Sequence, residues 1–151
     1  MRLFLIIGVF ISLVNPLYSQ TPDETIDLLN TLFSQHSIGT TNFSFKKISD
    51  TEIIATNSVT VNNYGPEKLT YRFNPKNAVS LKSIVSKKNV TIIFTFRENT
   101  VEWFDKYLRI EMLSKIQCSL INMSEKDIDD LLKAYKHLIN SLGGNLKDEI
   151  F

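Results

Sequence analysis

Hydrophobic and polar positions recur with a helical period near both ends of the chain and with a period of two between them. Near the N-terminus, Ile26, Leu29 and Phe33 form one apolar stripe. The stripe follows Thr21-Pro22-Asp23-Glu24, which offers a capping hydroxyl, a proline at the first helical position and a glutamate three residues after the cap. The pattern predicts a helix from about Pro22 to Gln35.

Between Asn42 and Leu113, apolar residues alternate with polar ones, and turn-forming residues separate the alternating runs. These runs are Phe43–Lys46, Glu52–Val61, Lys68–Phe73, Val79–Val85, Val90–Arg97, Val101–Trp103 and Leu108–Met112. Short links favour an antiparallel meander, because parallel pairing needs long crossover connections. We therefore predict a bent antiparallel sheet or partly open barrel of about seven strands, with one face in water.

A second helix is predicted near the C-terminus. Ser124 is a favoured N-cap residue, and Glu125 and Asp127 complement the positive end of the helix dipole. Gly143-Gly144 marks the helix end. The apolar positions that share one face are Ile128, Leu131, Leu132, Tyr135, Leu138, Ile139 and Leu142. We expect this long amphipathic helix to pack on the sheet.

The predicted order of elements resembles a pleckstrin-homology-like barrel with an N-terminal extension. In that architecture the last helix plugs one open end of a strongly bent sheet, and the resemblance implies the same arrangement here. The predicted fold class is therefore α+β, with a helix-on-sheet fold of another topology as the alternative. The resemblance implies no activity, because one fold hosts many functions.

The first nineteen residues have the pattern of a secretory signal peptide. Arg2 supplies a positive charge, and the apolar run Leu3–Val14 is shorter than the about 20 residues that span a bilayer. We predict cleavage between Ser19 and Gln20 and export to the periplasm or the outside, with no stable membrane anchor afterwards. The alternatives are an uncleaved anchor and a first core strand, and the lack of polar alternation over Leu3–Phe10 disfavours the strand.

Both ends of the predicted mature chain resemble small exported proteins of Bacteroidota-type bacteria. In such proteins a signal ending like Ser19-Gln20 precedes a helix start like Thr21-Pro22-Asp23-Glu24-Thr25-Ile26-Asp27-Leu28-Leu29-Asn30. They also end on a helix like Lys133–Ile139, a pair like Gly143-Gly144 and a terminal residue like Phe151. The resemblance carries over no functional residues.

Length and composition favour one globular domain, residues 20–151, after the signal peptide. The chain has 151 residues, of which 43% are hydrophobic and 22% charged, values typical of globular proteins. Loss of residues 1–19 removes one of the 17 basic residues and none of the 16 acidic ones, so no formal net charge remains. This balance favours neither nucleic acid nor anionic membranes as a partner.

The residues that most often carry chemistry are few. His36, His137 and Cys118 stand at unrelated spacings, which do not form a zinc signature. We interpret His36 as complementing a helix C-terminus, His137 as a solvent-facing or edge residue, and Cys118 as a small buried hydrophobe. We predict no catalytic, metal-binding or cofactor-binding residues, and no cofactor.

A candidate binding surface combines three lysines with two aromatic residues: Lys82, Lys87, Lys88, Trp103 and Phe104. Lysines near the turns of a lipid-binding pleckstrin barrel hold phosphoinositide headgroups, whereas lysines on edge strands also protect a sheet against aggregation. Exposed aromatic residues anchor interfaces, although a large aromatic side chain is more often part of a core. The protective and core roles therefore stand beside the binding role.

Two functional hypotheses follow. The first is an exported, non-enzymatic domain that binds a protein, peptide or glycan or has a structural role. The second is a carrier of a small apolar ligand, held between the sheet and the C-terminal helix. If the chain came from a secreted eukaryotic protein instead, Asn42, Asn89 and Asn122 would be glycosylation acceptors.

Overall fold

The computed structural model describes residues 20–39, 41–61, 65–105, 107 and 110–146, and these ranges contain two α-helices, one short 3-10 helix and eight strands. The predicted signal peptide, residues 1–19, and the terminal Phe151 lie outside the described residues. The helices are α1 (Pro22–Gln35) and α2 (Glu125–Ser141). The strands are β1 (Asn42–Ser49), β2 (Glu52–Val61), β3 (Gly65–Phe73), β4 (Ala78–Ser86), β5 (Asn89–Phe96), β6 (Val101–Phe104), β7 (Ile110–Leu113) and β8 (Lys115–Ile121). The predicted α+β class is confirmed.

The start of α1 forms the predicted capping box. The backbone amide of Glu24 donates to Thr21 Oγ1 at 3.3 Å, and the amide of Thr21 donates to the Glu24 carboxylate at 2.7 Å. Each bond satisfies a backbone donor that the helix itself leaves without a partner. The predicted stripe is also confirmed, since Ile26, Leu29 and Phe33 are all buried.

The predicted limits of α2 are confirmed as well. Ser124 caps its N-terminus. At the other end, the amide of Gly143 donates to Asn140 O at 3.1 Å, and the amide of Gly144 donates to Ile139 O at 2.9 Å. This pair of bonds is a Schellman motif, which requires the left-handed backbone that Gly143 adopts at φ +83°.

Most of the predicted apolar face of α2 lies in the core. Its buried residues are Leu131, Tyr135, Leu138, Ile139 and Leu142. Ile128 and Leu132 are only partly buried, whereas Ala134, which was not predicted, is fully buried. The helix packs against α1, β4 and the short 3-10 helix Pro75–Asn77 that precedes β4. Its contact with α1 was not predicted from the sequence pattern.

The strand pattern holds, with one strand added. All strand pairs are antiparallel, as predicted. The sequence prediction ends the sheet at Leu113, but β8 follows directly after Ser114 and brings the described total to eight strands. Its alternation was a missed signal, because Ile116, Cys118 and Leu120 face the core between exposed polar residues.

The strands form two separate antiparallel sheets. The first has the order β1-β2-β3-β6-β7, and the second has the order β4-β5-β8. The chain passes between the sheets at Pro75–Asn77, after β5 and at Ser114. Hydrogen bonds of 2.8 Å, from Phe96 N to Ser114 O and from Arg97 N to Asn77 O, extend the pairing of β5 with β8 and with β4 by one residue each.

Aromatic side chains from α1, α2 and both sheets fill the core. Phe43 of β1 stacks on Phe94 of β5 at 5.8 Å between ring centroids, so the two sheets meet directly. The ring of Tyr135 lies 5.8 Å from Phe45 and 4.7 Å from Phe94. Tyr135 therefore packs α2 against both sheets.

Candidate functional site

The three lysines of the candidate surface lie on β4 and the turn that joins it to β5. Lys82 is in the middle of β4, and Lys87 and Lys88 form the two-residue turn between the paired residues Ser86 and Asn89. Lys87 has φ +56°, as the first position of such a hairpin turn requires. All three side chains are exposed.

Exposed apolar residues accompany these lysines on β4. Val79 is 49% exposed, Ile84 54% and Val85 59%. Ile84 and Val85 point to opposite faces of the sheet, since adjacent strand residues alternate. Both are nevertheless exposed, so the end of the β4–β5 hairpin projects beyond the packed core.

The three-stranded sheet is also one-sided in charge. Its strands and the β4–β5 turn contain no aspartate or glutamate, whereas they contain Lys82, Lys87, Lys88 and Lys115. The rest of the chain holds all the acidic residues, including the run at the start of α2. A basic region with exposed apolar side chains is therefore confined to one sheet.

Trp103 and Phe104 lie on β6, in the other sheet. Trp103 is half-buried and packs against the core. Phe104 lies under the Arg72 guanidinium, 5.5 Å from the ring centroid, and Arg72 also pairs with Glu52 at 3.2 Å and Glu102 at 3.4 Å. The structure thus divides the five candidate residues between two sheets, with the lysines on one and the aromatic residues on the other.

A second exposed apolar group, which sequence reasoning missed, lies beside these aromatic residues. Tyr107 is 68% exposed, and Ile110 and Met112 of β7 are 69% and 47% exposed. β7 has only four residues. A strand this short offers little length for pairing with another chain.

At two of the four sheet edges, groups of α1 and of the residue after it hydrogen-bond to the strand backbone where a neighbouring strand would. At β1, the Asn30 side chain of α1 accepts from Phe45 N at 2.7 Å and donates to Phe45 O at 3.0 Å. At the end of β8, Ile121 N donates to His36 O at 2.9 Å, and the His36 Nδ1 lies 3.1 Å from Ile121 O. In the described part of the chain, β4 pairs with β5 and with no other strand.

His36 joins three elements: the end of α1, the end of β8 and the start of α2. Besides its contacts to Ile121, its Nε2 lies 3.7 Å from Asp127 Oδ2. Ser124 Oγ donates to the same oxygen at 2.6 Å, and this bond and that from the Ser124 amide lower the Asp127 pKa. A nucleophilic triad would need the hydroxyl to contact the imidazole, whereas this hydroxyl contacts the carboxylate.

His137 of α2 contacts the backbone near the start of the described chain. Its Nε2 lies 2.9 Å from Gln20 O, and the ring is partly buried. The contact holds the residues before α1 against α2. It corrects the prediction of a solvent-facing residue while agreeing with an edge position.

Cys118 is 4% exposed on the core side of β8, which confirms the prediction of a small buried hydrophobe. Burial raises the pKa of its thiol far above the ordinary value. Because the thiolate is the reactive form, we expect no reaction with a thiol reagent such as Ellman's reagent under native conditions at neutral pH. The same reagent should label one thiol per chain in denaturant, and rapid native labelling would contradict this placement.

Among the described residues, no group of three His, Cys, Asp or Glu side chains could hold a metal ion. Neither described helix is long and apolar enough to cross a membrane. No family model, curated protein or solved structure matches the chain.

Proposed function

We propose that the chain is an exported, non-enzymatic domain that binds a protein partner along the free edge of β4. The observation that carries the proposal is the exposure of Val79, Ile84 and Val85 on a strand whose outer edge, among the described residues, has no strand beside it. An extended segment of the partner would add to β4 as a further strand, and main-chain hydrogen bonds and apolar contacts would hold it.

The other three sheet edges are less suited to pairing with an added strand, which supports β4 as the binding strand. Asn30 satisfies backbone groups on β1, and His36 does so at the end of β8. β7 is four residues long, whereas β4 has nine residues and offers length for pairing. The bulge at Val79 and the charges of Lys82, Lys87 and Lys88 are features that protect edges, but Ile84 and Val85 between them remain exposed apolar residues on both faces.

A membrane surface fits the hairpin less well than a protein does. Residues that insert into a bilayer would need to stand at the tip, and here the tip is Lys87 and Lys88. The apolar residues Ile84 and Val85 lie behind that tip on the strand. An added strand meets both, because it lies beside the edge and reaches both faces of the sheet.

The core argues against the carrier hypothesis. That hypothesis places a ligand between the sheet and α2, where the fully buried ring of Tyr135 already packs against Phe45 and Phe94. The chemistry of His36 and Asp127 supports a non-enzymatic role in the same way, because their contacts are those of a helix cap and a strand end. Export rests on the pattern of residues 1–19.

Site-specific photo-cross-linking tests the proposal. A photo-reactive amino acid in place of Ile84 should give a discrete adduct with one protein in cells that produce the chain. The matched control carries the same amino acid in place of Ile110, which is at least as exposed but lies on β7. The Ile84 adduct should also be lost when Val85 is changed to Ser. Adducts at position 110 alone, or at neither position, would contradict the proposal.

A further inference from the structure

The positive charge of the three-stranded sheet indicates which kind of partner segment would pair with β4. This inference rests on the proposed function, because it concerns the strand that adds to β4. Lys82, Lys87, Lys88 and Lys115 are all exposed, and no acidic residue lies in the strands or turn that carry them. Opposite charges on neighbouring strands stabilise pairing, and like charges oppose it.

We infer that the partner presents an extended acidic segment with apolar residues between its carboxylates. Ile84 is followed within four residues by the turn lysines Lys87 and Lys88. A strand paired along this end of β4 therefore meets Ile84 with one side chain and reaches the level of the turn two or three residues further on. The matching sequence places acidic residues two or three positions from an apolar one, where they face Lys87 and Lys88.

Val85 adds a requirement on the other face. It pairs with the buried Val90 and is itself 59% exposed, so an apolar side chain beside it would lose contact with water. The partner strand then has apolar residues on both faces at the level of Ile84 and Val85. Charge selects this segment and apolar contact holds it, a division of roles common at interfaces.

Peptide titration followed by NMR tests the inference directly. The probe is a peptide in which a pair of Asp residues alternates with a pair of Val residues. The comparison peptides have Ser or Lys in place of every Asp. The Asp peptide should shift the amide signals of β4 and bind about tenfold more tightly than the Ser peptide at low salt. Its affinity should fall as salt rises, and the Lys peptide should not bind.

Charge reversal provides the matched control. Lys87→Glu with Lys88→Glu should weaken binding of the Asp peptide about tenfold and allow the Lys peptide to bind. Lys46→Glu with Lys68→Glu reverses two exposed lysines on the other sheet and should leave both affinities unchanged. Thermal unfolding of each variant checks that the fold is retained.

The outcomes separate this inference from the proposed function. Equal binding of the Asp and Ser peptides at β4 would overturn the acidic preference and leave strand addition standing. Failure of every peptide to shift β4 overturns the inference, and the cross-linking at Ile84 then decides the proposed function. Binding to vesicles of phosphatidylcholine and phosphatidylglycerol that depends on Lys87 and Lys88, without peptide binding, would assign the basic hairpin to a membrane surface instead.

Discussion

Replacing Tyr135 by Ala is expected to lower the free energy of unfolding by about 3 to 5 kcal/mol, the range for removing a large buried aromatic side chain. The ring is fully buried and packs between Phe45 of the first sheet and Phe94 of the second. Its loss opens a cavity where α2 meets both sheets. Urea unfolding followed by circular dichroism measures the change.

Tyr135→Phe is the matched control, and its effect should have the opposite sign. The Tyr135 hydroxyl is buried and has no hydrogen-bond partner among the residues that the structure describes. Burying an unpaired hydroxyl costs about 1 to 3 kcal/mol, so its removal should leave the stability unchanged or raise it by about 1 kcal/mol. Destabilisation of Tyr135→Phe by more than about 1 kcal/mol would show that the hydroxyl has a partner.

The wild type and Tyr135→Phe should also differ in how their stability changes at alkaline pH. Burial raises the pKa of Tyr135 in the folded protein, whereas the unfolded side chain ionises near pH 10. The unfolded state therefore loses its proton first, and the stability falls as the pH rises above about 10. Tyr135→Phe should lose less stability than the wild type over that range.

Gly144→Ala is expected to cost about 3 kcal/mol, at the upper end for forcing extra atoms into a packed site. A Cβ at this position would lie 2.5 Å from Ile139 Cγ2, 2.8 Å from Pro75 O and 2.9 Å from Ile139 O. Two of these atoms belong to the backbone, so relief requires the end of α2 to move away from the 3-10 helix at Pro75–Asn77. The Schellman bond from Gly144 to Ile139 would be strained by that movement.

Gly39→Ala separates this crowding from the cost of a left-handed backbone. Gly39 has φ +61°, but no atom lies within 4 Å of an added Cβ. Its substitution should lower the free energy of unfolding by only about 1 kcal/mol, the cost of placing a residue with a Cβ in the left-handed conformation. Thermal unfolding of both variants should rank Gly144→Ala as the more damaging, and an equal or smaller effect at Gly144 would contradict the close packing against Pro75.

The local signals in the sequence predicted the helices well. The capping residues Thr21 and Ser124 and the stop at Gly143 contact backbone groups only a few residues away. The local sequence is therefore enough to predict where both helices begin and where α2 ends. The alternation of β5 is equally local, with Val90, Phe94 and the other core residues on one face.

The division of the strands between two sheets could not be predicted in this way. It depends on which strands pair, and β3 pairs with β6 and β5 with β8, although neither pair is consecutive in sequence. The same limit explains why the contact of α2 with α1 was not foreseen. β8 was missed for a different reason: its alternation is visible, but it lies between Leu113 and the helix start, in a stretch to which the sequence analysis assigned no element.

The candidate surface was found only in part. Lys82, Lys87 and Lys88 were recognised from their charge, but the run Val79–Val85 has the pattern of an ordinary strand and gives no sign that Ile84 and Val85 are exposed. Exposure depends on which strands lie beside β4 and how far the core extends under the hairpin. Trp103 and Phe104 were grouped with the lysines by residue type, and the topology assigns them to the other sheet.

The most direct test of the proposed role of β4 is amide hydrogen exchange of the dilute protein, without any partner. β5 lies between β4 and β8, so its amides should exchange slowly, at rates set by global unfolding. The amides of β4 that point away from β5 should exchange rapidly, because no strand of the described ranges lies beside them to accept their hydrogen bonds. Slow exchange of all β4 amides in the monomer would show that the edge is already covered, and it would contradict strand addition at this site.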